Sequence, residues 1–135
     1  MFSFETKLRV RYAETDQMGY VYYGNYATYY EVARVEMLRS LGTSYRAMEE
    51  NGIMMPVTEL SVKYLKPIRY DEEITIRICI RELPAVRIRF EYELYDESGS
   101  LANSGETTLV FVDMKRNRPC KAPEAFIAAL SPFFN

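Results

Sequence analysis

Ile74-Thr75-Ile76-Arg77-Ile78-Cys79-Ile80 sets an isoleucine at every second position, and this row decides the fold class. Side chains alternate across a strand, so the row describes a half-buried strand with one greasy face. After a break at Leu83-Pro84-Ala85, Val86, Ile88, Phe90, Tyr92 and Leu94 alternate with Arg87, Arg89, Glu91 and Glu93, which predicts the second arm of a hairpin. Upstream, Leu60, Val62 and Tyr64 alternate with Ser61 and Lys63. Downstream, Asp96-Glu97-Ser98-Gly99 reads as a turn, and Thr107 to Val112 as a last long strand before the basic loop Lys115-Arg116-Asn117-Arg118-Pro119.

The period changes nearer the N-terminus. Lys7 to Tyr12 alternates, which predicts a first strand with Leu8, Val10 and Tyr12 on one face. Tyr26, Tyr30, Ala33, Met37 and Leu41 then recur at helical spacing, with Glu31, Arg34 and Arg39 elsewhere on the wheel. Asn25 is the expected N-cap of this helix and Gly42 its left-handed stop. A shorter helix is expected from Ser44 to Asn51, closed by Gly52, and a closing helix from Pro123 to Leu130. One strand, a long helix, a short helix and four antiparallel strands make an α+β domain, with one sheet against one main helix.

Bulk properties exclude several classes of function. A chain of 135 residues fits one domain, residues 1–135, and its 48% hydrophobic and 27% charged residues suit a globular core. Seventeen Lys and Arg against nineteen Asp and Glu leave no surplus of cations for general nucleic-acid binding. No stretch is apolar and long enough to span a bilayer, and the N-terminus lacks a secretory pattern, so a cytoplasmic protein is the expectation. Cys79 and Cys120 form no C-x-x-C pair, so they read as buried or half-buried free thiols and not as a metal site. The chain has no histidine, which removes Ser-His-Asp and Cys-His mechanisms. Its chemistry must use carboxylates, Tyr, Lys or backbone dipoles.

Between the first strand and the long helix, residues 12–26 are too long and too aromatic for a simple connector. Asp16 lies there, just ahead of a helix N-terminus, where backbone N–H groups and the helix dipole suit attack on a carbonyl. The run Arg9-Val-Arg-Tyr-Ala-Glu-Thr-Asp16, with Gly19, Val21-Tyr-Tyr-Gly-Asn25-Tyr26 and Tyr30-Glu31-Val-Ala-Arg34, resembles the 4-hydroxybenzoyl-CoA thioesterase family of hotdog proteins. Val62-Lys-Tyr-Leu-Lys-Pro67-Ile-Arg-Tyr-Asp71-Glu-Glu extends the resemblance over nearly the whole chain.

The resemblance implies a hotdog fold, an antiparallel sheet wrapped around one long central helix. It implies assembly as dimers or homotetramers with sites at subunit interfaces, and hydrolysis of acyl-CoA thioesters to free acid and CoA. Asp16 falls on the family's catalytic carboxylate, as nucleophile or general base, and the backbone amide of Tyr23 on the group that polarises the thioester carbonyl. Many relatives carry histidine at or near the position of Tyr23, so the expectation there rests on the amide and not the phenol. Gly24 and Asn25 at the helix start, with Lys63, Lys115, Arg116 and Arg118, are the expected substrate-binding residues, the last three as the one real cationic cluster for CoA phosphates. Coenzyme A arrives as part of the substrate, so no separate cofactor or metal is expected.

Glu31 is expected in a structural ion pair, with Arg34 or across a subunit contact, although a second-base role stays open. Among Tyr22, Tyr23, Tyr26, Tyr29 and Tyr30, Tyr23 is the candidate to line an acyl pocket and the others are assigned to packing. Two other functions compete. A hydratase in this fold relies on histidine and is disfavoured by its absence. A non-catalytic acyl-CoA or acyl-carrier-protein binding module would leave Asp16 as a loop-shaping residue.

Overall fold

In the computed structural model, which describes residues 1–135, five antiparallel strands lie in the order β1-β4-β5-β6-β3. They are β1 (Phe2–Arg9), β3 (Val57–Tyr64), β4 (Glu73–Ile80), β5 (Arg87–Tyr95) and β6 (Leu101–Val110). A small second sheet joins β2 (Ile53–Met54), β7 (Val112–Asp113) and β8 (Arg118–Pro119). Three helices accompany them: α1 (Asn25–Ser40), α2 (Tyr45–Glu50) and α3 (Glu124–Leu130).

The isoleucine row behaves as its alternation requires. Ile74, Ile76, Ile78 and Ile80 are fully buried, as are Phe90 and Leu94 on β5, which pairs with β4 in the register Ile76 to Leu94 and Ile78 to Tyr92. On the same face α1 packs through Tyr26, Tyr29, Tyr30, Ala33 and Met37. Tyr30 stacks on Tyr92 with ring centroids 4.2 Å apart and planes 3° from parallel. That approach requires Gly105 beneath it, because a Cβ there would lie 2.6 Å from the Tyr30 ring and 2.7 Å from the Ser61 carbonyl oxygen.

Polar groups are threaded through this core. The Tyr30 hydroxyl donates to Asn103 Oδ1 at 2.6 Å, and Arg34 donates to the Tyr45 and Tyr92 hydroxyls at 2.9 and 3.0 Å. Arg34 follows Tyr30 by four residues and therefore lies on the buried stripe of α1, not on the outer part of the wheel. The expected Glu31–Arg34 pair does not form: Glu31 is exposed, and the guanidinium turns inward to phenols.

Other boundaries also move. The first strand spans Phe2–Arg9 and not residues 7–12; the core-facing frame that includes Leu8 and Val10 is kept, but Tyr12 leaves in a short 3-10 turn and is 77% exposed. Asn25 is the first residue of α1 and not its cap, a place taken by Gly24, because the Asn25 side chain donates away from the helix to the Glu14 carbonyl. Gly42 does end α1, at φ +81° with its N–H on the Arg39 carbonyl. Ser44 caps α2 by accepting from the Ala47 N–H. The last long strand is Leu101–Val110; Phe111 breaks it by bonding Val86, and Val112 passes to the small sheet.

Candidate active site

The loop between β1 and α1 is built by short-range bonds. Thr15 and Val21 form an antiparallel bridge, and Tyr20 bridges Arg69 on the neighbouring chain segment. The Val21 N–H donates to the Ile68 carbonyl at 2.8 Å, and the Asp16 N–H to the Tyr20 carbonyl at 2.9 Å. Gly19 turns the chain at φ +81°, a left-handed conformation that favours glycine, and its N–H returns to the Asp16 carbonyl at 3.0 Å. Asp16 is thereby held at the mouth of a tight turn.

Its carboxylate has one partner. Oδ1 accepts from the Met18 N–H at 2.9 Å, an Asx turn, and Oδ2 accepts from no protein group. Asp16 and Tyr23 line the same pocket of about 280 Å³, walled by Met18, Val21, Tyr26, Tyr64 and Leu65. Tyr23 is 63% exposed, its ring 4.7 Å from that of Tyr22, and its carbonyl accepts weakly from the Tyr64 hydroxyl at 3.4 Å. Neither the Tyr23 nor the Gly24 N–H donates to a protein acceptor. These amides lie at the positive end of the α1 dipole, and the one at Tyr23 belongs to the residue that shares the pocket with Asp16; such donors suit a developing oxyanion. Burial pushes the Tyr26 phenol in the pocket wall up to about 12, which keeps it neutral.

The structure therefore brings Asp16 and Tyr23 to one pocket, with Gly24 next in the chain but not among its lining residues. Asn25 does not line it either: its side chain donates to the Glu14 carbonyl at 2.8 Å. Nor does Lys63: it pairs with Ser104 on the sheet face away from α1 and lines a larger hollow of about 470 Å³, half of whose lining residues are charged. Size does not make that hollow the better site, because apolar walls with a few convergent polar groups characterise small-molecule pockets. Lys115, Arg116 and Arg118 sit at the β7–β8 turn, where Asp113 accepts from the Lys115 and Arg116 amides. Within one chain that turn stands beside β2 and α2, at the opposite end of α1 from Asp16. Cys79 and Cys120 are half-buried free thiols, both pushed up by burial, and neither lines the Asp16 pocket.

Tyr22 and Tyr26, expected in packing alone, depart from that expectation. Tyr22 is 47% exposed, its ring lying where a Cβ on Gly24 would stand, and Tyr26 is core and pocket wall at once. The wall formed by Tyr64, Leu65, Lys66 and Pro67 was missed, although it falls within the second stretch that carried the family resemblance. Lys66 is tethered at 2.9 Å to Asp96, whose carboxyl is held well below its usual range by Ser98 and by Lys66 itself.

Known proteins agree with this architecture. The sequence pattern of the Thioesterase-like superfamily matches residues 10–130. YneP of Bacillus subtilis is 33% identical over 120 residues, covering 89% of this chain and 87% of its own length. The acyl-CoA thioester hydrolase YbgC of Escherichia coli O157:H7 is 30% identical over 125 residues, covering 93% of each. The crystal structure of a DHNA-CoA thioesterase from Staphylococcus aureus superposes with a TM-score of 0.93 at 38% identity, covering 98% of this chain and 91% of that one. With the pattern spanning most of the chain and the fold matched end to end, the protein belongs to the Thioesterase-like superfamily of hotdog enzymes, as a thioester hydrolase.

Proposed function

We propose that the chain hydrolyses acyl-CoA thioesters, with Asp16 as the catalytic carboxylate and the Tyr23 N–H as the donor to the thioester carbonyl. The observation that carries this is the shared pocket: Asp16, with a carboxylate oxygen that has no protein partner, and Tyr23, with an N–H that has none, line one mostly apolar space. The carbonyl oxygen docks on the Tyr23 amide, and the helix dipole favours the charge that forms there. Asp16 then attacks the carbonyl carbon or draws a proton from an attacking water. On the water route, collapse of the tetrahedral intermediate breaks the C–S bond, the thiolate takes the proton that Asp16 drew from water, and CoA thiol and free acid leave. On the attack route the same collapse expels CoA thiolate and leaves an acyl anhydride on Asp16, which water then hydrolyses to the free acid, its proton going to the thiolate.

A second reading has its own observation. The Asx turn from Asp16 to Met18 is what a merely loop-shaping aspartate would make, as in a non-catalytic acyl-thioester binding module. Asp16→Asn separates the two, because an asparagine Oδ1 still accepts from Met18 while the charge is lost. The catalytic reading expects kcat to fall at least about a hundredfold with KM little changed. Near wild-type kcat in a normally folded variant would overturn it.

We further infer that copies of the chain assemble and that the Lys115, Arg116 and Arg118 cluster serves the site of a neighbouring copy, because within one chain it stands at the other end of α1. Light scattering is expected to return a dimer or tetramer at micromolar concentration. Triple alanine replacement should raise KM for acyl-CoA and flatten its salt dependence. A monomer, or a triple variant with unchanged KM, would count against this arrangement.

A further inference from the structure

Glu14 bonds the end of the β1–α1 loop and the first two turns of α1 at once. Its backbone carbonyl accepts two hydrogen bonds, from the Tyr22 N–H at 2.9 Å and from Asn25 Nδ2 at 2.8 Å. Carboxylate oxygen Oε1 also accepts two, from the Arg11 N–H at 2.8 Å and the Tyr29 hydroxyl at 2.9 Å. The Arg11 guanidinium reaches Oε2 at 3.2 Å. Tyr29 is 1% exposed and lies one turn along α1 from Asn25, so Glu14 ties the 3-10 turn, the end of the loop and the first turns of α1 to one point.

Asp16 follows this anchor by two residues. Tyr23 lies between its two backbone-linked neighbours, Tyr22 and Asn25. Moving Glu14 therefore moves the carboxylate and the amide relative to each other, and catalysis is steeply sensitive to such offsets. We propose that Glu14, through Tyr29, is the positioning residue that sets the distance between Asp16 and the Tyr23 amide; this rests on the catalytic reading of those two groups. Glu14 never touches substrate, since its carboxylate is spent on Arg11 and Tyr29 and it does not line the pocket. Burial works to raise its carboxyl, but the bonds from Arg11 and Tyr29 outweigh that and hold it below its usual range, so it is an ionised acceptor at neutral pH.

The test measures kcat and KM on an acyl-CoA panel for Glu14→Ala, Glu14→Gln, Tyr29→Phe and Asp16→Asn, each normalised to folded protein. Glu14→Ala should lower kcat on the order of ten- to a hundredfold while KM stays within about threefold, the signature of lost geometry and not lost binding. Glu14→Gln keeps an acceptor oxygen for Tyr29 and Arg11 and should recover most of that loss. Wild-type kcat in folded Glu14→Ala, or equal losses in Glu14→Ala and Glu14→Gln, would overturn the proposal. Should Glu14→Ala fail to fold, Tyr29→Phe carries the test: a kcat-selective loss supports the tie and an unchanged kcat overturns it. An active Asp16→Asn variant would instead remove the catalytic reading, and the proposal with it. A dead Asp16→Asn beside a fully active Glu14→Ala removes the proposal alone.

Discussion

Replacing Gly105 with alanine tests the packing that sets α1 on the sheet. The new Cβ would stand 2.6 Å from Tyr30 Cε2, 2.8 Å from the Tyr30 hydroxyl oxygen and 2.7 Å from the Ser61 carbonyl oxygen. Tyr30 cannot swing aside freely, because its ring is stacked on Tyr92 and its hydroxyl is bonded to Asn103. Ser61 cannot move freely either, since its carbonyl belongs to β3, paired along β6. With a clash on both sides the cost lies at the upper end of the overpacking range, about 3 kcal/mol. Unfolding entropy of about 2.1 cal/mol/K per residue gives roughly 0.28 kcal/mol/K for this chain, so Tm should fall by about 10 °C. Gly99→Ala is the control: it sits at φ +87° in open space, so only backbone strain of about 1 kcal/mol, or roughly 4 °C, is expected. Thermal unfolding followed by circular dichroism measures both. A Gly105→Ala protein melting within about 2 °C of wild type would falsify the close-packing account.

Two further outcomes follow from the buried phenols. Tyr30→Phe removes the donor to Asn103 Oδ1; Asn103 Nδ2 already lacks a partner, so the whole buried amide is stranded and stability should drop by about 2 kcal/mol in urea titrations, whereas an unmoved midpoint would refute the bond's importance. Alkaline pH should also destabilise the fold. Burial pushes the Tyr26 and Tyr92 phenols up to about 12, against about 10 in the unfolded chain, so the folded state holds protons that the unfolded state releases. Their contribution is intact below about pH 10 and is lost as pH rises toward about 12, and a Tyr92→Phe variant should show a shallower loss over that window; equal slopes would contradict it.

Much of the fold was legible because burial on one face writes a period into the sequence. β4 and β5 follow their alternation, and α1 follows its tyrosines. The first half of β6 was not legible, since Leu101-Ala-Asn-Ser-Gly is small and polar. Its composition answers to a neighbour: Gly105 leaves room for the Tyr30 ring and Asn103 accepts its hydroxyl. β2 and β8, two residues each, are too short to carry a period at all.

The site divides along the same line. Asp16 and Tyr23 stand seven positions apart in one loop, and a carboxylate ahead of a helix start is a local pattern. Glu14 gave no such signal, because its decisive bonds reach Asn25 and Tyr29, 11 and 15 residues away, and no spacing rule relates a turn residue to donors on another element. Arg34 was misplaced for a related reason. A charged side chain on a helix is assigned to water unless something inside can accept its protons, and those acceptors are phenols on α2 and β5. Hydrophobic periodicity reports which face of an element leaves water and is silent on which polar group meets it there. A chain without histidine therefore shows its candidate carboxylate, Asp16, in the sequence but not the bonds that tie Glu14 to Asn25 and Tyr29.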